Sequence, residues 1–158
     1  MLRDKDIKKA GEIQTNKKTD RANPLCCNHY FFVPLHNTIF KMFKISKQFS
    51  FSASHVLNLL PADHPCARLH GHNYVVTVHL KAETLDEYGF VKDYNDLKTV
   101  KQFIDETLDH RYLNDQIPET PTSENIARFL YKQLKPEIPE LYAVEVSETP
   151  QTSCIYEP

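Results

Sequence analysis

Two segments in which apolar and polar residues alternate constrain the fold of this chain most. Along residues 43–55 the odd positions are mostly apolar, and the even positions are mostly serine or another polar residue. Along residues 70–81 histidine, tyrosine and aliphatic residues share one face; Lys47 and Val75 are the exceptions to the two patterns. Because successive side chains of a strand point to opposite faces, both segments are predicted to be β-strands with one apolar face.

Beyond these strands the pattern changes to a helical period and then returns to alternation. Apolar residues from Tyr94 to Leu108 recur at helical spacing after Asp93, a candidate N-cap, and a second helix is predicted from Pro121–Ser123 to Leu134. The segments 142–148 and 152–156 alternate again and predict two further strands. This ββααββ order, without strand–helix alternation, favours an α+β class with an antiparallel sheet.

Length, charge and cysteine placement limit the function classes. The 158 residues suit one domain, and a net charge of −2 does not favour nucleic acid as a partner. No apolar run approaches the about 18 residues of a membrane span. The four cysteines do not have the spacing of a disulfide framework, which is typical of a cytoplasmic protein.

The first 41 residues differ from the rest of the chain. They are rich in charged residues at their start and show no amphipathic period. We expect residues 1–41 to be a disordered extension or a misassigned start, with Met42 as the candidate initiator. Residues 42–158 are expected to form the folded domain.

Three histidines form a candidate metal site. His70 and His72 are one residue apart on a predicted strand, so both rings leave the same face, with Cβ atoms about 7 Å apart. His55 ends the apolar face of the preceding strand and reaches the same side if the two strands pair as a hairpin. A single histidine on an apolar face is more often a hydrogen-bonded core residue, but the three together favour a zinc ion with one open position, as in catalytic sites.

Four other residues have both structural and catalytic interpretations. Cys66 is a buried thiol, a fourth ligand that closes a structural zinc site, or a thiolate base or nucleophile beside the metal. Asp109 and His110 form either a pair at a helix end or a proton-transfer unit. Glu148 ends an apolar alternation, either because the strand reaches solvent or because its carboxylate accepts hydrogen bonds from a guanine-like or pterin-like ring.

The motifs that contain these residues resemble one enzyme family. Six segments match in order: FSASHVL (51–57), CARLHGHNY (66–74), GFVKDYNDLK (89–98), LDHRYLND (108–115), PTSEN (121–125) and VSETPQTSCIY (146–156). They are similar to segments of the 6-pyruvoyltetrahydropterin synthase and 6-carboxytetrahydropterin synthase family, and the resemblance covers residues 43–157. It implies the tunnelling fold, in which protomers with a four-stranded antiparallel sheet and two helices on one face join into a barrel. The expected assembly is a homohexamer made of two trimers.

The resemblance also implies roles for the candidate residues. His55, His70 and His72 would hold zinc (Zn2+), and Cys66 would accept a proton. By the same resemblance, the other roles fall on Asp109 and His110 as a proton relay from a neighbouring subunit, on Glu148 as the pterin anchor, and on Thr122 and Ser123 as further hydrogen-bonding groups for the ring.

The spacing at the cysteine divides the family by reaction. Three residues separate Cys66 from His70, which resembles the carboxy-forming enzymes of queuosine biosynthesis, and a glutamate in place of Cys66 would be typical of a folate branch. The resemblance therefore implies a zinc-dependent lyase that converts 7,8-dihydroneopterin triphosphate and water to 6-carboxy-5,6,7,8-tetrahydropterin, acetaldehyde and triphosphate. The alternatives are a 6-pyruvoyltetrahydropterin synthase, which retains the side-chain carbons, and a zinc-stabilised structural module that is not an enzyme.

Overall fold

The computed structural model describes residues 41–158, and a four-stranded antiparallel sheet forms its centre. Its strands lie side by side in chain order: β1 (Phe43–His55), β2 (His70–Ala82), β3 (Leu141–Thr149) and β4 (Thr152–Tyr156). This arrangement confirms the predicted α+β class with an antiparallel sheet. The expected domain boundary at residue 41 stays a prediction, since the residues before it lie outside the described part.

Three helices connect β2 to β3: α1 (Lys98–Thr107), α2 (Leu113–Gln116) and α3 (Ser123–Leu134). The helix predicted from Tyr94 begins instead as a 3₁₀ turn over Tyr94–Leu97, whose first free amide is capped by Asp93 as expected. The short helix α2 was not predicted. Its four residues span little more than one turn, which is too short to show a period.

The hydrophobic core lies between one face of the sheet and helices α1 and α3. The alternation of β2 places Tyr74, Val76 and Val78 on this face with no exposed surface. Because the helices bury their apolar stripes against the same face, the core is continuous from sheet to helix. Its fully buried members outside β2 include Val100, Ile104, Leu108, Ile126, Leu130, Leu141 and Val146.

One residue lies on the face opposite to the predicted one. The alternation placed Tyr142 with Val144 and Val146, but the Tyr142 ring lies 5.0 Å from Lys44 Nζ and 4.8 Å from Lys81 Nζ, on the side that carries the lysines. The register of β2 and β3 shifts at His79/Leu80, where an extra residue is inserted. A bulge of this kind re-aims a side chain without changing the apolar pattern, so the period alone does not reveal it.

The strand register places the candidate histidines together. His55 pairs with His70 across β1 and β2, and Ala53 pairs with His72. The side chains of His55, His70 and His72 therefore leave the same face of the sheet, beyond the end of the apolar core.

The segment that follows α1 covers the edge of β1 beside these histidines. The His110 N–H donates to the Ser52 carbonyl oxygen at 2.7 Å, and the Ser54 N–H donates to the Arg111 carbonyl oxygen at 3.0 Å. No helix within residues 41–158 is long and apolar enough to cross a membrane.

Candidate metal centre and active site

The side chains of His55, His70 and His72 converge at one end of the sheet. One ring nitrogen of each lies within 4.8 Å of the others, and the Nε2 atoms of His55 and His70 are 3.0 Å apart. His55 is only 1% exposed, whereas His70 and His72 are half-buried. The group is therefore closed by the core on one side and accessible on the other.

Two of the three rings donate a hydrogen bond from Nδ1 to a backbone carbonyl oxygen. His55 Nδ1–H donates to the Pro121 carbonyl oxygen at 2.8 Å, and His70 Nδ1–H donates to the Arg68 carbonyl oxygen at 2.7 Å. With a proton on each Nδ1, the neutral rings present Nε2 lone pairs to one another. Two lone pairs at 3.0 Å repel unless a cation lies between them.

This donor set fits a zinc ion. Imidazole nitrogens bind zinc at about 2.0–2.1 Å, so neighbouring ligands of a tetrahedral ion lie about 3.3 Å apart. Carbonyl partners that orient the ligand rings are typical of metal-binding histidines. Burial lowers the pKa of His55, although its hydrogen bond to Pro121 and the charge of Glu148 oppose this effect. The neutral form, which binds metal, is therefore favoured.

Cys66 is not part of the three-histidine group. The described residues that could hold a metal there are the three histidines alone, and Cys66 lies on the turn Pro65–Ala67 before β2. Its thiol is free and partly buried. The other described cysteine, Cys154, is also free, and burial together with the charge of Glu124 raises its pKa.

Glu148 lies near the histidines, at the end of β3. It is half-buried, and its charge raises the pKa of the buried Tyr74 phenol as a second cause after desolvation. The same charge acts on His55. Glu148 therefore presents a half-buried carboxylate near His55. The alternation with Val144 and Val146 predicted this face of β3 for it.

Asp109 and His110 follow α1 as a hydrogen-bonded pair. Asp109 Oδ2 accepts from His110 Nδ1 at 2.9 Å, while Asp109 Oδ1 accepts from the Ser52 N–H at 2.9 Å. The bond from Ser52 and then the bond from His110 hold the pKa of Asp109 below its ordinary value. His110 has a φ of 55°, in the left-handed region, and its side chain is 81% exposed.

His110 borders a cleft at the edge of β1. This open, polar cleft of about 500 Å³ is lined by His72 and His110 together with Ser52, Ser54, Asn73 and Arg111. Ser52, Ser54 and Asn73 lie on the sheet face opposite to the three ligand rings, so this cleft adjoins the Asp109–His110 pair and not the three-histidine group.

Thr122 and Ser123 lie at the N-terminus of α3. Thr122 is the N-cap, and its hydroxyl accepts from the Asn125 N–H at 3.4 Å. Thr122 also lines a cavity of about 540 Å³ between the segment after β1 and the segment before α3. The Pro121 carbonyl oxygen, which accepts from His55 Nδ1, directly precedes Thr122. The start of α3 is therefore hydrogen-bonded to one of the three histidines.

Sequence reasoning missed the groups that orient the histidine rings. The Tyr74 hydroxyl lies 3.3 Å from His55 Nδ1, and the Tyr74 ring makes edge contacts with His55 and His72. Its position two residues after His72 on the same face was the available signal. The sequence contains no sign of the Arg68 and Pro121 contacts, since every residue has a backbone carbonyl group.

Comparisons with known proteins support one family. A family model described as 6-pyruvoyl tetrahydropterin synthase matches residues 44–158. The 6-carboxy-5,6,7,8-tetrahydropterin synthase of Haemophilus influenzae is 32% identical over 142 residues, covering 73% of this chain and 99% of that protein. The 6-pyruvoyl tetrahydrobiopterin synthase of Dictyostelium discoideum is 33% identical over 97 residues, covering 58% of this chain and 72% of that protein.

A solved structure agrees with these sequence matches. The 6-pyruvoyl tetrahydropterin synthase of Caenorhabditis elegans superimposes with a TM-score of 0.67 at 30% identity, covering 75% of this chain and 97% of that one. The region that the family model matches, residues 44–158, contains all the residues of the site described above. The chain belongs to the 6-pyruvoyl tetrahydropterin synthase family.

Proposed function

We propose that this protein is a zinc-dependent lyase that acts on a pterin triphosphate. In the proposed reaction, 7,8-dihydroneopterin triphosphate and water give 6-carboxy-5,6,7,8-tetrahydropterin, acetaldehyde and triphosphate. The observation that carries the proposal is the convergence of three histidines on a partly exposed surface, with the Nε2 atoms of His55 and His70 only 3.0 Å apart. A fourth, open position is the arrangement of a catalytic rather than a structural zinc site.

The residues around this group have separate roles in the proposal. Bound zinc would polarise the hydroxyl-bearing side chain of the substrate, so that protons on the neighbouring carbons become acidic. Cys66 removes such a proton as a thiolate. Glu148 accepts hydrogen bonds from the pterin N–H groups, and the hydroxyls of Thr122 and Ser123 bind the ring.

Asp109 and His110 complete the proposal as a proton relay. Their pairing leaves the His110 side chain 81% exposed, so it is available to a neighbouring protomer. We propose that Cys66 of one subunit meets this pair from the next, within a homohexamer whose subunits join their sheets into a barrel. The cytoplasm, where thiolates stay reduced, is the proposed location.

The carboxy-forming reaction is favoured over the alternatives by two observations. Three residues separate Cys66 from His70, and relatives in Haemophilus influenzae and Bacillus subtilis, at 32% and 30% identity, carry the name 6-carboxy-5,6,7,8-tetrahydropterin synthase. This supports a place in queuosine biosynthesis. The second candidate is 6-pyruvoyltetrahydropterin synthesis, which is supported by the name of the Dictyostelium discoideum relative.

Product analysis tests this choice. Zinc-loaded protein is incubated with 7,8-dihydroneopterin triphosphate in the absence of any reductase, and the products are identified by mass spectrometry. We expect 6-carboxytetrahydropterin together with acetaldehyde. 6-Pyruvoyltetrahydropterin without acetaldehyde would establish the second candidate instead.

A Cys66→Ala variant tests the remaining alternative, a structural zinc module closed by this thiol. Since Cys66 lies outside the three-histidine group, we expect the variant to retain zinc and to lose the reaction. Loss of zinc together with the thiol would favour the structural module.

A further inference from the structure

Hydrogen bonds, rather than packing, hold the turn that carries Cys66. None of the three residues of the turn Pro65–Ala67 is buried. The Ala67 N–H donates to the His64 carbonyl oxygen at 3.0 Å, and the Arg68 N–H donates to the Pro65 carbonyl oxygen at 3.2 Å. A short turn of this kind has little apolar contact to restrain it, so each hydrogen bond has a large share in its order.

Both backbone polar groups of Cys66 are engaged. Its N–H donates to the ring nitrogen Nδ1 of His64 at 3.1 Å, and its carbonyl oxygen accepts from the Leu57 N–H at 2.9 Å. The first bond restrains the turn from within, and the second ties it to the segment that follows β1. With the backbone of Cys66 restrained at both ends, only side-chain rotation remains to direct the thiol.

His64 acts as the N-cap of the turn. Its backbone is extended, and its side chain accepts from the N–H two residues later, which is the geometry of a capping serine or aspartate. Here an imidazole nitrogen replaces the usual oxygen, so His64 accepts as the neutral tautomer protonated on Nε2. Pro65, at the first position of the turn, has a fixed φ and no N–H to satisfy, which leaves the Cys66 N–H as the donor to be capped.

We infer that His64 is a positioning residue for the Cys66 thiol. The inference rests on the proposed function, in which Cys66 is the base. A base must lie within about 2.6–3.2 Å of the proton that it removes, so a turn that samples several conformations holds a productive thiol for a smaller fraction of the time. His64 reduces this sampling through its ring Nδ1, which accepts from the Cys66 N–H.

Two substitutions separate the acceptor from the rest of the side chain. His64→Leu removes the acceptor, whereas His64→Asn supplies Oδ1 in the same capping role. In full-length, zinc-loaded protein we expect His64→Leu to speed hydrogen exchange of the Cys66 amide about fivefold, the size expected for loss of one cap. The same variant is expected to lower kcat by a similar factor, while KM and zinc content stay unchanged. His64→Asn should restore both the exchange rate and kcat to within about twofold of wild type.

Asp63→Leu is the matched control, since it introduces the same side chain at the exposed neighbour of His64 and leaves the cap in place. Unchanged exchange at Cys66 in His64→Leu would overturn the cap, and faster exchange with unchanged kcat would overturn the positioning role. Equal losses in His64→Leu and His64→Asn would also overturn it, because the acceptor would then not be the group that matters. Exchange is measured without substrate, so it decides the cap even if product analysis refutes the lyase reaction.

Discussion

At the scale of single residues, the candidate metal site depends on which nitrogen of each ring carries the proton. The carbonyls of Pro121 and Arg68 accept from Nδ1 of His55 and His70, which directs both Nε2 lone pairs to the same point. Neither ring can change tautomer without losing a hydrogen bond to a carbonyl. The site is therefore prepared for a cation by its backbone as well as by its side chains.

Replacement of one ligand should remove the metal. We expect His70→Ala to weaken zinc binding by more than about 100-fold, because loss of a partner that merely orients a ligand already costs about 10–100-fold. His79→Ala is the control, since His79 lies on the other face of the sheet beside Glu145, at 3.3 Å. Metal analysis after dialysis against a competing chelator should find zinc in His79→Ala and not in His70→Ala, and equal zinc in the two would contradict the assignment.

The low pKa of Asp109 predicts a stability contribution that is lost in acid. In the folded protein the bonds from Ser52 and His110 favour the ionised carboxylate, so the unfolded chain takes up this proton at higher pH than the folded protein does. The contribution is therefore complete above the ordinary carboxyl pKa and disappears as the pH falls through the lowered value.

Thermal melting of metal-free wild type and Asp109→Asn from pH 6 to pH 3 measures this contribution. Wild type should melt at the higher temperature at pH 6, and the difference should shrink on acidification as the Asp109 carboxylate takes up its proton. A difference that does not change with pH would show that the carboxylate charge has no part in the stability.

At the scale of elements, the hairpin of β1 and β2 sets the spacing of the histidines. Gly71 lies between two of them, opposite Ser54. A Cβ at this position would lie 3.0 Å from the Ala53 carbonyl oxygen, closer than side chains normally approach backbone. Glycine therefore allows the close approach of the two strands beside the three histidines.

We expect Gly71→Ala to force the strands apart and to disturb both flanking ligands. The cost should be about 1–3 kcal/mol in the free energy of unfolding, as for other overpacked sites, and zinc affinity should fall. Gly89→Ala is a suitable control, because Gly89 has a φ of 86° and open space around its Cβ position. It should be destabilised by backbone strain while keeping its zinc affinity. Denaturant unfolding and zinc titration measure the two effects, and normal zinc binding by Gly71→Ala would contradict the argument.

At the scale of the whole molecule, the proposed active site requires two copies of the chain. Cys66 lies on the turn before β2, and the Asp109–His110 pair lies against the edge of β1 with an exposed histidine. In the proposed assembly the pair of one subunit serves the thiol of the next.

Subunit complementation tests this arrangement. Cys66→Ala and His110→Ala are each expected to be inactive, but refolding an equal mixture should restore about a quarter of the sites, since each intact half is drawn with a probability of about one half in a symmetric oligomer. The mixed assembly is verified by native mass spectrometry. Mixed oligomers without activity would show that the thiol and the pair act within one chain.

Several features of the fold followed from the sequence because their physical signal is local. The alternation in residues 43–55 and 70–81 predicted strands β1 and β2. The Asp93 cap and the predicted start at Pro121–Ser123 marked helical starts within a few residues of those observed. Where the signal was absent, the prediction failed. The bulge that turns Tyr142 to the other face leaves the apolar pattern unchanged, and α2 is too short to have a period.

Within a regular strand, the sequence by itself determined which side chains share a face, since that depends only on the two-residue period. It therefore placed His70 and His72 together and left His55 to strand pairing. The tertiary structure decided which groups form hydrogen bonds across the fold. The Pro121 and Arg68 carbonyls accept from the histidine rings, and Asp109 accepts from the Ser52 amide. Backbone groups are chemically alike at almost every residue, so only the folded path of the chain selects the ones that orient this site.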